Sequence, residues 1–340
     1  MAKLRWGIIS TAKIGVEHVM PAIQASSYGE LGGIASRNRS AAVKLAEQFA
    51  IPRSYGSYEE LLADPTIDVV YNPLPNDQHL PVTLSAVAAG KHVLCEKPLS
   101  LTAVAVQTML EARERHGRRI QEAFMVRTHP QWLRAREIVT SGALGQVRAI
   151  QCFFSYFNDD PNNIRNWSHE RGGGGMYDIG CYPTTTSRFL LGSEPEAVMA
   201  IMDIDPRFAA DRLGSVMLRF PGDGDGPPIV ASFTYSTQCV PYQRMQVFGS
   251  EGRLEIEIPF NAPSERSCRL FTDDGAERGD RSAKLIEVEP CDQYRLEIDA
   301  FAKSIIEGTP QPVPLEDSLA QARVLDAAFR SAKTGQWERP

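Results

Sequence analysis

The sequence lacks an excess of basic residues, a long apolar run and a cleavable leader, and each absence excludes a class of protein. Its 340 residues include 36 Lys and Arg against 42 Asp and Glu, so no basic excess is available to neutralise a nucleic-acid backbone. No segment approaches about 18 consecutive apolar residues, the length of a membrane-spanning helix. The start, MAKLRWGIIS, has too short an apolar run for a signal peptide. We therefore expect a cytoplasmic protein that binds neither nucleic acid nor membrane.

Paired cysteines are also lacking. None of the six cysteines belongs to a CxxC motif, which disfavours both a zinc site and a disulfide framework. We interpret them as reduced, mostly buried thiols. The remaining composition, 43% hydrophobic and 23% charged, is that of an ordinary globular chain, and its length is typical of two domains. The cysteines are Cys95, Cys152, Cys181, Cys239, Cys268 and Cys291.

The first third of the chain alternates short β-branched runs with helical patterns. This alternation predicts a doubly wound parallel sheet, whose ligands bind beyond the carboxyl ends of the strands. Pro21 is a misfit inside the first predicted helix. The predicted strands are Leu4–Ser10, Leu31–Ser36, Asp68–Asn72, His92–Glu96 and Arg119–Phe124, and the helices are Lys13–Ser26, Ser40–Phe49, Asp77–Ala89 and Leu101–His116.

After a helix at Gln131–Thr140 the pattern changes to strands separated by turns, one of them Gly222–Pro227. These runs predict a large, mostly antiparallel open sheet, and two helices close the chain. The predicted fold is therefore α/β, with a nucleotide-binding domain at residues 1–124 and an α+β domain at 125–340, whose closing helices pack back on the first domain. The strands are Val147–Phe157, Leu213–Phe220, Ile229–Thr237, Arg244–Phe248 and Leu254–Ile258, and the helices are Tyr294–Glu307 and Leu315–Lys333.

The turn after the first strand is a candidate phosphate-binding turn. Ser10, Ala12 and Gly15 occupy the three glycine positions of the dinucleotide fingerprint, with Lys13 and Ile14 between them, so that two of its glycines are missing. Small residues there let backbone N–H groups and a helix N-terminus approach a pyrophosphate. A small-residue turn between strand and helix is common, however, so an ordinary turn remains an alternative.

The end of the second strand indicates which cofactor such a turn would serve. An NAD-selective site places Asp or Glu there, whereas this chain has Ser36, Arg37 and Arg39. A hydroxyl followed by guanidinium groups suits a 2′-phosphate, which predicts NADP(H) in preference to NAD(H). Alternatively, both arginines are solvated charges at the start of the next helix.

Two further segments carry candidate catalytic residues. Glu96-Lys97-Pro98 ends a later strand, where an ammonium would stabilise a developing alkoxide; a surface ion pair is the alternative. In GGGGMYDIGCYP, at Gly172–Pro183, Asp178 and Tyr182 lie four apart on one helical face. A nearby ammonium would favour the Tyr182 phenolate as a proton acceptor. A core tyrosine with a satisfied hydroxyl is the alternative.

In their order along nearly the whole chain, these segments resemble the glucose-fructose oxidoreductase / inositol dehydrogenase (Gfo/Idh/MocA) family. The resemblance implies a Rossmann domain followed by an α/β domain with an open sheet, often used for contacts in a homodimer or homotetramer. The quoted motifs are GIISTAKIG at Gly7–Gly15, PNDQH at Pro75–His79, EKPL at Glu96–Leu99, EAFMVRTHPQ at Glu122–Gln131, GGGGMYDIGCYP at Gly172–Pro183, GSEGRL at Gly249–Leu254 and SAKTG at Ser331–Gly335.

The resemblance also implies roles for particular residues. Lys97 matches the family's catalytic lysine, and Tyr182 matches the tyrosine of the branch near pentose (xylose) dehydrogenases, glucose-fructose oxidoreductase and dihydrodiol dehydrogenase. Thr185 departs from the family's Asp, which disfavours an inositol-type proton relay. Leu74, Pro75, Asn76 and His79 would line the nicotinamide, with Glu96 and Lys97 near its ribose and carboxamide, while Arg127 and His129 would position the helix below the site.

The loop before the glycine run combines aromatic, amide and guanidinium groups, a mixture suited to sugar hydroxyls and an apolar ring face. We assign Arg165 and Trp167 to substrate contact, although a surface loop anchored by Trp167 is nearly as good an interpretation.

Together these residues predict an NADP(H)-dependent oxidoreductase acting on a sugar or polyol, favoured as an aldose 1-dehydrogenase. Tyr182 takes the hydroxyl proton, Lys97 stabilises oxygen charge and Asp178 orients them. This chemistry requires no metal. A keto-sugar reductase, a trans-dihydrodiol dehydrogenase and a non-catalytic NADP-binding sensor are the alternatives.

Overall fold

The computed structural model describes residues 3–222, 224, 226–277 and 279–340. In it, the first part of the chain forms a six-stranded sheet whose strands are all parallel. Its order is β3-β2-β1-β4-β5-β6. The strands are β1 (Leu4–Ile9), β2 (Gly29–Ala35), β3 (Ser54–Tyr55), β4 (Val69–Asn72), β5 (His92–Glu96) and β6 (Ile120–Ala123), and the helices are α1 (Met20–Ala25), α2 (Arg39–Gln48), α3 (Tyr58–Leu62), α4 (His79–Ala88) and α5 (Ala103–His116).

The predicted fold class is confirmed for this sheet, because its strands are buried on both faces. All four residues of β4 are buried, as expected for a parallel sheet covered by helices. Side-chain caps start three of the helices: Asn38, Ser57 and Thr102 accept backbone N–H groups of the first turns of α2, α3 and α5. The short elements β3 and α3 were not predicted.

The prediction of one continuous helix at Lys13–Ser26 is wrong. A π-helical turn at Gly15–Val19 comes first, and α1 begins afterwards at Met20. Pro21 therefore lies in the first turn of α1, where its missing N–H and fixed φ are tolerated.

The second sheet has eight strands in the order β14-β13-β12-β11-β7-β10-β9-β8. Every pairing is antiparallel except that of β7 with β10, as predicted for a mostly antiparallel sheet. The prediction missed β8, β13 and β14. The strands are β7 (Val147–Phe157), β8 (Ala197–Asp205), β9 (Ala210–Phe220), β10 (Ile229–Ser236), β11 (Gln238–Gly249), β12 (Arg253–Ile256), β13 (Cys268–Asp273) and β14 (Lys284–Val288), and the remaining helices are α6 (Pro130–Thr140), α7 (Cys181–Leu191), α8 (Gln293–Glu307) and α9 (Leu315–Thr334).

One face of this sheet is buried and the other is open. Residues of β9 alternate between buried and exposed, and α6 packs against α7, β12 and β13. Residues Cys181–Leu190 of α7 are all buried. The predicted turn at Gly222–Pro227 includes Asp223 and Asp225, which lie outside the described residues.

Grouped by their contacts, the residues form two units. The first comprises residues up to Met125 together with Asp292–Leu319, and the second comprises Val126–Cys291 together with Ala320–Pro340. Within the first unit, α8 packs against α1 and β2. The sequence-based assignment of functional domains to 1–124 and 125–340 stays a prediction.

All six cysteines are free thiols, four of them buried. No helix in the described part of the chain combines the length and apolar character that crossing a membrane requires.

Candidate active site

The carboxyl edge of the parallel sheet gathers most of the predicted cofactor-binding residues. Strand β1 lies between β2 and β4. After β1 the chain adds strands on one side of β1, and after β3 it adds strands on the other side. The point between β1 and β4 is therefore the topological switch point, where such sheets bind ligands. Because the strands are parallel, the segments after β1, β2, β4 and β5 all begin at this edge. They carry Ser10, Ala12, Lys13, Ile14 and Gly15; Ser36, Arg37 and Arg39; Leu74, Pro75 and Asn76; and Glu96 with Lys97.

The turn after β1 has the backbone of a phosphate-binding turn without its usual glycines. Ser10 adopts a left-handed φ of 72°, a conformation that favours glycine, and its N–H donates to Ala35 O at 2.8 Å. Its hydroxyl accepts the Ala12 N–H at 3.2 Å. Gly15 begins the π-helical turn, and a β-carbon there would lie 3.6 Å from Tyr71 Cε1. Small residues and a helix start thus remain where a pyrophosphate would be held.

The strained backbone at Ser10 leads to a stability prediction. Replacing Ser10 by Gly should raise the free energy of unfolding by about 0.5–1 kcal/mol, because relief of left-handed strain outweighs the added chain entropy. Thermal or urea unfolding measures this change. As control, Ser57→Gly at an extended φ of -143° should give no gain. Equal behaviour of the two variants would show that Ser10 is not strained.

The segment after β2 presents a hydroxyl and two arginines. Ser36 is buried, and its hydroxyl accepts the Asn38 N–H at 3.1 Å. Asn38 caps α2, and both Arg37 and Arg39 are exposed. No carboxylate occupies positions 36–39, so these donors fit a phosphate better than a ribose hydroxyl.

His79 differs from the other predicted cofactor-binding residues because its side chain is fully buried. Its Nδ1 lies 2.9 Å from Pro98 O and its Nε2 lies 2.8 Å from Leu74 O. Burial lowers the pKa of His79, while the two carbonyls oppose this shift. His79 therefore joins the segment after β4 to the segment after β5 and holds both in place.

Lys97 follows β5, where neighbouring strands fix the backbone on either side of it. The Tyr71 hydroxyl donates to Glu96 Oε1 at 2.7 Å, and the Leu99 N–H donates to Glu122 Oε1 at 2.8 Å. The Lys97–Pro98 peptide bond is cis, and Lys97 is half-buried. The lysine thus extends from a rigid position at the ligand-binding edge.

In the second unit, Asp178 is held from two sides. Its Oδ1 accepts from Arg165 Nε at 2.7 Å, and its Oδ2 accepts from the Tyr156 hydroxyl. Asp178 raises the pKa of the Arg165 guanidinium more than any other group, and burial foremost raises the pKa of Tyr156. Tyr156 is a member of this cluster that sequence reasoning missed, because a tyrosine at the end of a predicted strand gives no signal of it.

Tyr182 lies four residues after Asp178 on the same continuous helical segment, and it is buried. The ring packs against Phe260 at 5.3 Å and Phe154 at 5.9 Å between centroids, which fixes its direction. The helix predicted to carry Asp178 and Tyr182 is a π-helical turn, Met176–Gly180, that continues into α7.

The remaining predicted residues have supporting positions. The Arg171 guanidinium lies 3.6 Å from the centre of the Trp167 ring, so one face of this indole packs within its own loop. His129 is fully buried, and its Nδ1 accepts the Gln131 N–H at the start of α6. Arg127 stacks on Phe189 at 4.5 Å. The expectation that His129 and Arg127 position a helix fits these contacts.

Two family models match the chain. The model for an oxidoreductase family with an NAD-binding Rossmann fold covers residues 4–124, and the model for the GFO/IDH/MocA C-terminal domain covers residues 132–255.

Relatives match over almost the full length. An uncharacterised oxidoreductase of Rhizobium meliloti is 44% identical over 99% of each chain, and D-xylose 1-dehydrogenase (NADP(+)) 2 of Haloferax volcanii is 35% identical over 98% of each chain. Among solved structures, a 3-ketoreductase from Actinomadura kijaniata in complex with NADP and TDP-benzene superimposes with a TM-score of 0.89 at 28% identity, covering 97% of this chain and 98% of that one.

The nucleotide-binding sheet and the match to the Rossmann family model define an NAD(P)-dependent oxidoreductase. The chain belongs to the Gfo/Idh/MocA family, as its sequence motifs predict.

Proposed function

We propose that this protein is an NADP(H)-dependent oxidoreductase that transfers a hydride between nicotinamide and a sugar or polyol, and that it oxidises an aldose at its anomeric carbon. The observation that carries the proposal is the Arg165–Asp178 ion pair, joined by the Tyr156 hydroxyl, on the helical segment that also bears Tyr182. Such a cluster offers a proton acceptor and hydroxyl-binding groups together. The likeness to an NADP-linked xylose dehydrogenase supports the choice of an aldose.

The proposed cofactor is NADP(H), preferred over NAD(H), because of the donor set after β2. Ser36, Arg37 and Arg39 would hold the 2′-phosphate, and the small-residue turn at 10–15 would hold the pyrophosphate. Leu74, Pro75, Asn76, Glu96 and Lys97 would face the nicotinamide end, and His79 would support them from below. The proposed site contains no metal.

The arginines after β2 give a direct test of cofactor preference. In the Arg37→Ala/Arg39→Ala variant, the Kd for NADP+ should rise about 10²-fold to 10⁴-fold, because each of the two lost charge-assisted bonds is worth roughly 1.5–3 kcal/mol. The Kd for NAD+ should change little. Calorimetry of both nucleotides measures the effect, and Arg295→Ala, a partly buried arginine on α8, serves as control. A parallel loss of NAD+ and NADP+ affinity would argue against a 2′-phosphate site.

When bound, the nicotinamide supplies the carbon that accepts or returns the hydride. Tyr182 accepts the proton of the substrate hydroxyl. Lys97 stabilises the alkoxide charge that develops on the substrate oxygen as this proton leaves, before the hydride is transferred. Asp178, paired with the Arg165 guanidinium and hydrogen-bonded by Tyr156, orients these groups rather than taking the proton itself. Arg165 and Trp167 contact the sugar.

Nicotinamide absorbance with NADP+ and then NAD+, across pentoses, hexoses, inositols and a trans-dihydrodiol, tests this function. Turnover of one aldose with NADP+ is the expected result. Turnover of the dihydrodiol alone would reassign the substrate. No turnover with any alcohol or carbonyl compound would contradict the proposed activity.

A keto-sugar reductase is the second candidate, favoured by the likeness to the 3-ketoreductase. The same residues then act in reverse, with the Tyr182 hydroxyl donating its proton to the carbonyl oxygen. NADPH consumption with a keto-sugar, without oxidation of any aldose, would select this direction. A sensor without catalysis is disfavoured by membership in an oxidoreductase family.

We propose further that the protein is a cytoplasmic homodimer or homotetramer formed through the open face of the second sheet. This face exposes Ile201, Val230 and Tyr242, and it contains a shallow pocket of about 500 Å³ lined by residues such as Arg244 and Glu255. Analytical ultracentrifugation tests the proposal. The Tyr242→Glu variant should dissociate, whereas a wild type that sediments as a monomer would refute it.

A further inference from the structure

The helical segment that carries Asp178 and Tyr182 is held at its start by a buried carboxylate from another part of the chain. Asp211, the second residue of β9, is only 2% exposed. Its Oδ2 accepts hydrogen bonds from the Met176 N–H at 2.6 Å and from the Tyr235 hydroxyl at 2.7 Å. One carboxylate oxygen thus joins this segment to both β9 and β10.

The glycines of the segment make room for these two side chains. Gly174 has a φ of +111°, which strongly favours glycine, and a β-carbon there would overlap the Asp211 carboxylate. β-Carbons on Gly175 and Gly180 would lie 2.8 Å and 3.0 Å from the Tyr235 ring. The glycine run is therefore shaped to receive Asp211 and Tyr235.

The carboxylate also satisfies a helix terminus. The run from Met176 through α7 starts with backbone N–H groups that have no partner within the helix, and Gly175 offers no side chain to cap them. Asp211 supplies the missing acceptor together with a negative charge, which is favourable at an N-terminus. Burial raises the pKa of Asp211, and the bonds from Tyr235 and Met176 act in the opposite direction.

A second contact fixes the other side of the segment. The Gly174 N–H donates to Arg165 O at 2.9 Å, and the Asp178 N–H donates to Gly174 O at 3.1 Å. Gly174 thus lies between the Asp211 carboxylate and the loop that supplies Arg165. A shift of Asp211 would be transmitted to the Arg165–Asp178 pair and, along the same helix, to Tyr182.

We propose that Asp211 and Tyr235 are positioning residues that set the orientation of the segment bearing Asp178 and Tyr182. They act through this segment and do not touch the reacting atoms. The inference rests on the proposed function for its catalytic consequence, whereas the anchoring itself does not depend on any substrate.

Two conservative variants test the proposal. Asp211→Asn keeps the shape but weakens the charge-assisted bonds, and Tyr235→Phe removes one hydroxyl while keeping the ring between the glycines. Asp273→Asn is the matched control: Asp273 is also a buried carboxylate of the second sheet, and it accepts a hydroxyl, from Ser282, and a backbone N–H, from Gly275 at 2.9 Å.

Amide hydrogen exchange of the full-length protein is the first readout. Exchange across 176–182 should accelerate about tenfold in Asp211→Asn and measurably in Tyr235→Phe, because local opening becomes easier. In Asp273→Asn, which also weakens the ion pair of Asp273 with Arg253, acceleration should be confined to the neighbourhood of Arg253, Gly275 and Ser282. Unchanged exchange across 176–182 in both test variants would overturn the proposal.

Turnover per NADPH-binding site is the second readout. A tenfold to hundredfold lower kcat, with unchanged NADPH affinity, is expected for Asp211→Asn, with a smaller loss for Tyr235→Phe. If Asp211→Asn lowers the melting temperature but keeps the full kcat per folded site, Asp211 has a structural role only, and the positioning role is contradicted. If the wild type turns over no substrate, the proposed function fails, and the exchange comparison alone then decides whether the segment is anchored as proposed.

Discussion

Replacing Tyr182 by Phe should lower kcat about 10²-fold to 10⁴-fold in whichever direction the enzyme works, while NADPH affinity stays unchanged. The variant removes only the hydroxyl that we assign to proton transfer. Because the ring packs against both Phe154 and Phe260, phenylalanine keeps the shape of the aromatic cluster and the fold. Steady-state kinetics and NADPH fluorescence titration measure the two quantities separately.

Tyr177→Phe provides the control from the same helical segment. The Tyr177 ring stacks on His169 at 5.2 Å and lies 4.9 Å from the Phe329 ring, so it faces a different group of aromatic residues. Loss of the Tyr177 hydroxyl should leave kcat within a few-fold of the wild-type value. Near-normal turnover of Tyr182→Phe across the whole pH range would refute the proton-transfer role.

Replacing Lys97 by Met should lower kcat about 10²-fold to 10³-fold, the typical cost of removing one group that stabilises a developing oxyanion. Methionine approximates the aliphatic part of the side chain but carries no charge. The backbone at this position is fixed by the Tyr71–Glu96 and Leu99–Glu122 hydrogen bonds, so we expect the segment to stay in place. Comparing kcat with the Kd for NADPH checks the assignment.

Lys97→Arg is the charge-retaining companion variant. It should recover part of the lost turnover, because the cation is restored although its geometry differs. An equal loss of turnover and NADPH affinity in Lys97→Met would instead show that the lysine serves cofactor binding and would remove it from the catalytic step.

Periodicity in the sequence predicted the long elements well. Strands β5 and β7 have the predicted bounds, because a run of apolar and aromatic residues between turn residues marks both ends. It failed for the two-residue strand β3, for the edge strand β14 and for its neighbour β13, where short or charged sequences give weak alternation. The π-helical turns at Gly15–Val19 and Met176–Gly180 were also missed, since the apolar pattern is nearly the same as in an α-helix.

The candidate site was predictable only where residues are close in sequence. Ser10, Gly15, Ser36 and Lys97 follow strands whose order and direction place them at one sheet edge. Tyr156 donates to Asp178, which lies 22 residues away in the sequence. Asp211 accepts the N–H of Met176, at the start of the segment that carries Asp178, 35 residues away. No local pattern encodes such pairs.

By itself the sequence determined the family, the parallel and antiparallel sheets and the two motifs that carry Lys97 and Tyr182, because these depend on hydrophobic periodicity and on residues near one another in the chain. Only the tertiary structure decided that His79 is fully buried, that Asp178 pairs with Arg165 and accepts from Tyr156, and that the glycine run receives Asp211 and Tyr235. The reason is physical: burial, ion pairing and close packing depend on which distant segments the fold brings within contact distance.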